Sequence, residues 1–422
     1  MQTSWKGRST IGPTVVPLLA TAAFINYVDR GNLATAAPLI KDQLHLSSTE
    51  VGLLLSAFFW SYVPGQLLSG WLAERINAYR TLAIGLALWS LATAASGLAT
   101  GFVTLMALRV FLGLGESATY PCIAKLFAQH LPAGKLGAAN GSIGVGMALG
   151  PALGTFFGGL MMAKIGWRAV FLLFGLVSLL WLIPWYVSTR RASSQASRSA
   201  APIVPALASI LRRRQVWGAS LGHFCGNYAF YFVISWLPLY LVKARGLSMT
   251  RMAQISGLVY AVYAISSFTA GRVSDRWIAS GASTNRVRKT VIVLAHAILT
   301  ASLLVAAVGD LNVAVASLVC AGVAFGLNTP TLYSIGQTLA GPRVAAKWMG
   351  IQNSLANLAG VIAPLITGLV IDVTGEYYWA FVIAAGVAAV GILGWALVIP
   401  RVEPLDWEHV NSSPSVIGVS TP

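Results

Sequence analysis

Twelve apolar stretches, each long enough to cross a lipid bilayer as a helix, follow one another through almost the whole chain. They cover residues 14–38, 49–73, 79–99, 102–127, 134–163, 167–188, 216–242, 252–277, 289–309, 313–340, 346–372 and 377–399. Crossing roughly 30 Å of hydrocarbon takes about 20 residues of α-helix. A segment in lipid must satisfy its own backbone N–H and C=O groups, so each stretch reads as a helix. The spacing predicts an all-α membrane protein with twelve transmembrane helices. Composition closes the alternatives. Of 422 residues, 56% are hydrophobic and only 9% charged, against roughly 25% charged in soluble domains. A mean hydropathy of +0.73 and 42 glycines suit lipid, where Gly is commoner than in soluble helices. A soluble enzyme, a disordered chain and a disulfide scaffold are excluded.

The net charge of +16 invites a nucleic-acid reading, which fails once the charges are located. Of the 28 Lys and Arg, twenty fall in the tails and one alternating set of loops, six in the opposite set and two inside spans. Such a bias marks the cytoplasmic side of a multi-pass membrane protein. It puts both termini and the long loop 189–215, with Arg190, Arg191, Arg198, Arg212, Arg213 and Arg214, in the cytoplasm. Residues 1–13 form a short basic tail ahead of a full span and do not read as a cleavable signal. Cys122, Cys225 and Cys320 stand apart in apolar stretches, which points to neither disulfides nor a metal site.

The two halves read as copies. Gly70-x-x-x-Glu74-Arg75 follows span 2 and Gly271-x-x-x-Asp275-Arg276 follows span 8, 201 residues later. A second register, at spacing 213, pairs Gly113 with Gly326, Gly137 with Gly350, Asn140 with Asn353 and Pro151 with Pro364. The expected layout is a cytoplasmic tail (1–13), a six-helix bundle (14–188), a basic linker (189–215), a second six-helix bundle (216–399) and a second cytoplasmic tail (400–422). Two repeated bundles with a site between them at mid-membrane is a transporter plan.

With these repeats the chain resembles the major facilitator superfamily over essentially its whole length. Four segments are similar to the anion:cation symporter family within it: Asn26-Tyr27-Val28-Asp29-Arg30, Phe58-Phe59-Trp60-Ser61-Tyr62, Arg109-Val110-Phe111-Leu112-Gly113-Leu114-Gly115-Glu116 and Val402-Glu403-Pro404-Leu405-Asp406-Trp407. That family includes bacterial galactonate and glucarate symporters and the sialic acid and vesicular glutamate transporters. The resemblance implies the major facilitator fold, a substrate-contacting arginine at Arg30, and a coupling role for Arg109 and Glu116. There are departures. Gly226 stands where the vesicular glutamate branch has a span 7 arginine, Leu55 near where it has a span 2 histidine, and Asn77 where the superfamily usually has Gly.

Four charges sit well inside spans: Asp29, Arg30, Arg109 and Glu116. Each costs about 2.5–3.5 kcal/mol at a helix centre unless it pairs, meets water or changes protonation. Structural ion pairs are a poor source of net stability, which favours function. Asn26, Asp29 and Arg30 share one helix face, with Tyr27 one turn before Arg30. Arg109, Gly113, Glu116 and Tyr120 share another. A guanidinium stays charged and grips a carboxylate with two parallel hydrogen bonds, so Arg30 is the expected anion ligand. Low dielectric drives a carboxylate towards its neutral form and a neighbouring guanidinium opposes this. Asp29 and Glu116 are therefore the expected proton carriers, with Arg109 as partner of whichever is ionised.

The second half supplies neutral polar groups: Asn227 and Tyr231 in span 7, Thr329, Thr331 and Ser334 in span 10, and Asn353 and Asn357 in span 11. Interhelical glue is one reading of such residues. As a set with Tyr27 and Tyr62 they suit a polyhydroxylated ligand. His223, near the start of span 7, is either a partial substitute for the missing cation or a capped or packed residue. Glu74–Arg75 and Asp275–Arg276 are expected to form cytoplasmic ion pairs that hold an outward-facing state shut.

The reading is a proton-coupled symporter in a bacterial inner membrane, importing an organic monocarboxylate of the sugar-acid type as a monomer. No catalytic residue, metal or cofactor is expected beyond the proton. Aromatic or dicarboxylic acids are the rivals within the family, and a receptor without net transport is a rival outside it.

Overall fold

The computed structural model describes residues 14–46, 48–198, 205–247 and 249–407. No β-strand occurs among them. The first bundle opens with α1 (Val15–Leu44), α2 (Ser48–Leu72) and α3 (Ala78–Ser96). Span 4 is two helices end to end, α4 (Phe102–Glu116) and α5 (Thr119–His130). α6 (Leu136–Leu179) holds span 5 and most of span 6, reversing at Gly166, and α7 (Leu182–Arg198) completes span 6. Gly166 takes φ 78°, a left-handed value that glycine adopts without penalty.

A short α8 (Leu207–Leu211) leads into the second bundle, with α9 (Arg214–Leu239), α10 (Met249–Ala279) and α11 (Thr284–Val308). α12 (Leu311–Asn357) holds span 10 and the start of span 11, reversing at Gly341 with φ 65°. α13 (Ala359–Thr374) completes span 11 and α14 (Tyr378–Leu393) forms span 12. The loop expected over 189–215 is in part helical, because α7 runs ten residues into it, as far as Arg198, before the described chain breaks off.

The repeat is visible in packing. Gly113 of α4 lies so close to α2 that a β-carbon would sit 2.2 Å from the Phe58 carbonyl oxygen. Its copy Gly326 packs α12 on α10 in the same way, 2.4 Å from Ser266 Cβ. Equivalent glycines thus bring equivalent helix pairs together in each half. The halves then meet by crossed contacts. A β-carbon on Gly271 of the second half would collide with the Gly137 carbonyl, and one on Gly350 of α12 with the Gln66 carbonyl of α2. Each copy of the loop motif therefore presses on the other half's counterpart of span 5.

Candidate functional site

Successive helical residues point about 100° apart, so Asp29 and Arg30 diverge from α1. Arg30 turns towards α2 and the end of α4, where its Nε donates to Glu116 Oε2 at 2.9 Å. Glu116 is fully buried and the Arg30 side chain 14% exposed. The guanidinium carbon lies over three rings, 4.5 Å from Tyr62, 4.8 Å from Tyr27 and 4.9 Å from Phe58. Such contacts contribute about 2 kcal/mol each when desolvated, and they replace water around the cation. Only part of the fork is used: Arg30 Nη2 and Glu116 Oε1 are both buried without a hydrogen-bond partner.

Asp29 points the other way. Its Oδ1 accepts from Asn32 at 3.5 Å and its Oδ2 has no partner. Arg109 does not form the ion pair expected of it. Its Nε and Nη2 are unpartnered, and its guanidinium lies 5.9 Å from the Phe171 ring, within electrostatic reach of both Glu116 and Asp29. The reason is helical geometry: Arg109 sits two turns from Glu116, and Arg30 reaches that carboxylate from α1.

A cavity of about 500 Å³, open space included, lies between the halves beside this cluster. Six of the residues expected at the substrate line it: Tyr27, Tyr62, Asn227, Tyr231, Thr329 and Asn357. Tyr231 donates to Asn357 Oδ1 at 2.7 Å, and Thr329 is hydrogen-bonded to Tyr263 at 2.9 Å. Arg30, Thr331, Ser334 and Asn353 are not among the residues that line the cavity. Thr331 donates to the Leu327 carbonyl at 2.7 Å. Ser334 joins a closure between halves, in which Asn140 donates to Ser334 at 3.3 Å and to Gln337 at 2.7 Å. Asn353 is buried in the packing of α12. Tyr120, His223, Tyr263, Asn328 and Tyr333 complete the polar lining. Tyr120 and Tyr333 stack across the two halves at 5.4 Å. Their signal in the sequence is a tyrosine, amide or imidazole on an otherwise apolar span.

At the end carrying the doubled loop motif, Glu74 and Asp275 are both buried, but neither pairs with the arginine beside it. Arg75 lies over the Trp71 ring at 5.2 Å, and Arg276 is exposed. Glu74 pairs with Lys125 and accepts from the Ala346 amide of the other half at 2.9 Å. Asp275 pairs with Arg288 at 2.7 Å and accepts from the amides of Gly137, at 3.1 Å, and Ala138, at 2.7 Å. Those amides belong to the first turn of α6, and Ala346 follows closely on the reversal at Gly341. Asp275 therefore satisfies free N–H groups at a helix start in the opposite half, where the helix dipole also favours negative charge, and Glu74 accepts from an amide just past the corresponding reversal.

Hydrogen bonds to charged groups contribute about 1.5–3 kcal/mol each, so losing one changes a two-state balance roughly tenfold or more. Asp275→Asn is expected to open this end. A cysteine placed at Ser267, which is fully buried and donates to the Gly141 carbonyl across the halves, should then react several-fold faster with a maleimide supplied from that side. An unchanged rate would mean that Asp275 does not hold the seal.

The Major Facilitator Superfamily profile matches residues 19–363. The chain belongs to this superfamily. The hexuronate transporter of Bacillus subtilis (strain 168) is 30% identical over 403 residues, covering 93% of this chain and 94% of that protein. A probable L-galactonate transporter of Escherichia coli (strain K12) is 28% identical, over 92% and 89% of the two chains. The solved proton:xylose symporter XylE shares the fold with a TM-score of 0.73 at 14% identity, over 92% of this chain and 96% of its own. This facilitator is thus an integral multi-pass transporter, not an enzyme, with two six-helix bundles.

Proposed function

We propose that this chain is a proton-coupled symporter that imports an organic monocarboxylate, a sugar acid of the aldonate or uronate type, by alternating access. The observation that carries the reading is the buried Arg30–Glu116 pair with its half-used fork beside a cavity rich in hydroxyl and amide groups. A substrate carboxylate and Glu116 compete for one guanidinium. Protonating Glu116 releases Arg30 to the substrate, and losing that proton expels the substrate, which is the linkage a symporter needs. Asp29 and Arg109 form the second, deeper site of the coupling path. The named relatives, which handle hexuronate and galactonate, support the substrate class.

In this reading the protein works as a monomer in a bacterial inner membrane with both termini cytoplasmic. The end sealed by Glu74 and Asp275 faces the cytoplasm, and the bundles are 14–188 and 216–399. Two acids favour two protons per monoanion. That stoichiometry moves one net charge and gains about 2.3 kcal/mol per 100 mV.

The test is uptake into proteoliposomes under an inward proton gradient, across aldonates, uronates, aldarates and aromatic acids, with current recorded alongside. Gradient-driven uptake of a sugar acid with inward current is the expected result. Uptake without current at any voltage would reduce the stoichiometry to one proton, and tight binding without uptake would make the protein a receptor. A second reading, aromatic acids, is favoured by one observation. An apolar side pocket of about 410 Å³, lined by Val233, Leu237 and Val259, shares Phe230, Tyr263 and Phe325 with the main cavity. Uptake of aromatic acids alone would select it.

A further inference from the structure

The cavity's one imidazole is held by a chain of three side chains that leaves it a single role. The Trp348 indole N–H can only donate, and it donates to Gln352 Oε1 at 2.9 Å, one turn further along α12. That contact fixes which end of the Gln352 amide is oxygen. The remaining end, Nε2, is a donor only, and it faces His223 Nδ1 at 3.3 Å. Nδ1 must therefore present its lone pair, and the neutral ring carries its hydrogen on Nε2. Trp348 and Gln352 are completely buried and His223 is 3% exposed, so water does not compete for these contacts. His223 lines the cavity one turn before Asn227, and its ring stands edge-on to Tyr333 at 5.9 Å. The Gln352 contact is the hydrogen bond His223 makes among the described residues, and it uses Nδ1.

We infer that His223 is a specificity-determining residue whose Nε2–H, oriented by Gln352 and Trp348, donates a hydrogen bond to an oxygen of the substrate. The inference rests on the proposal that the cavity takes an organic anion and narrows the ligand. Arg30 in the first half takes the carboxylate. His223 in the second half requires an acceptor oxygen elsewhere on the molecule, a hydroxyl or a second acidic group, and has nothing to offer an ammonium. Gln352 and Trp348 are positioning residues that never touch the ligand.

Two measurements on the full chain in lipid nanodiscs test this. Nitrogen-15 spectra of the labelled imidazoles, assigned by comparison with His223→Gln, report the tautomer without any ligand. The expected signature is a protonated Nε2 and an unprotonated Nδ1. Trp348→Phe, which removes the indole donor and frees the amide to turn, should move the population towards Nδ1–H. A wild-type ring that is Nδ1–H or doubly protonated would overturn the assignment.

The second measurement is binding of D-glucuronate and L-galactonate, each beside analogues lacking one hydroxyl. His223→Leu should weaken the full acid about tenfold, the effect of one hydrogen bond to a neutral group. It should leave one particular deoxy analogue unchanged. His223→Gln, whose terminal NH2 reaches the position of Nε2–H, should restore most of the loss. Equal weakening of every analogue by His223→Leu would overturn the specificity role. If neither acid binds the wild type, the proposed substrate class fails on its own, and the tautomer measurement still decides whether His223 is the oriented donor.

Discussion

Glu116→Gln is expected to abolish proton-driven accumulation while leaving exchange of substrate across the membrane intact. Glutamine matches a protonated glutamate in size and cannot give the proton up. In the wild type, each proton carried with the substrate supports about tenfold accumulation per pH unit, since 1.4 kcal/mol corresponds to a factor of ten. In the variant the steady-state ratio should fall to that of simple equilibration. Binding should change in a matching way. In the wild type affinity rises as the medium is acidified, because protonation of Glu116 takes away the carboxylate that holds Arg30 Nε at 2.9 Å. In the variant affinity should stay at its acid-side level at every pH. Measuring counterflow, gradient-driven uptake and Kd against pH separates these effects. Undiminished accumulation in Glu116→Gln would remove Glu116 from the coupling path.

Arg30→Ala should eliminate specific binding. Removing one partner of a buried, hydrogen-bonded charge pair costs about 2–5 kcal/mol or more, which corresponds to at least a thirtyfold loss of affinity. Arg30→Lys should recover little, because an ammonium lacks the planar fork and cannot lie flat over the rings of Tyr27, Phe58 and Tyr62. Arg30→Ala alone strands Glu116, so Arg30→Ala with Glu116→Gln serves as the folding control. If the double variant is monodisperse and still binds within threefold of wild type, the substrate carboxylate lies elsewhere.

The charges of this site were legible in the sequence because lipid makes each of them conspicuous. Asp29, Arg30, Arg109 and Glu116 stand out against apolar spans, and their spacing gives the helix face. Their pairing was not legible. Arg30 rather than Arg109 reaches Glu116 because its long side chain crosses from α1 to the end of α4, and that distance is not written in either segment. The polar residues of the second half divide for a similar reason. Thr329 and Thr331 are alike in type but two positions apart, so they point about 200° from each other; the first lines the cavity and the second bonds back to its own helix. Tyr333, four residues after Thr329, shares its face. Applying that rotation to span 10 places Tyr333 with Thr329 and separates both from Thr331. The crossed partners of Glu74 and Asp275 needed the structure, because a loop motif does not announce which helix start it will cap.

The crossed arrangement bears on how such transporters can be recombined. Each half carries one acid and one receiving helix start, and each acid serves the start in the other half. A chimera that joins residues 14–198 of this chain to the second half of a relative keeps one native acid and one native receiver, and takes the complementary pair from the donor. Both closures survive only if the donor supplies an acid at the place of Asp275 and close-packing glycines at the places of Gly271 and Gly350. These few positions at one end of the molecule are therefore one requirement for compatibility between halves. Agreement at those positions is needed even between proteins whose substrate cavities are alike.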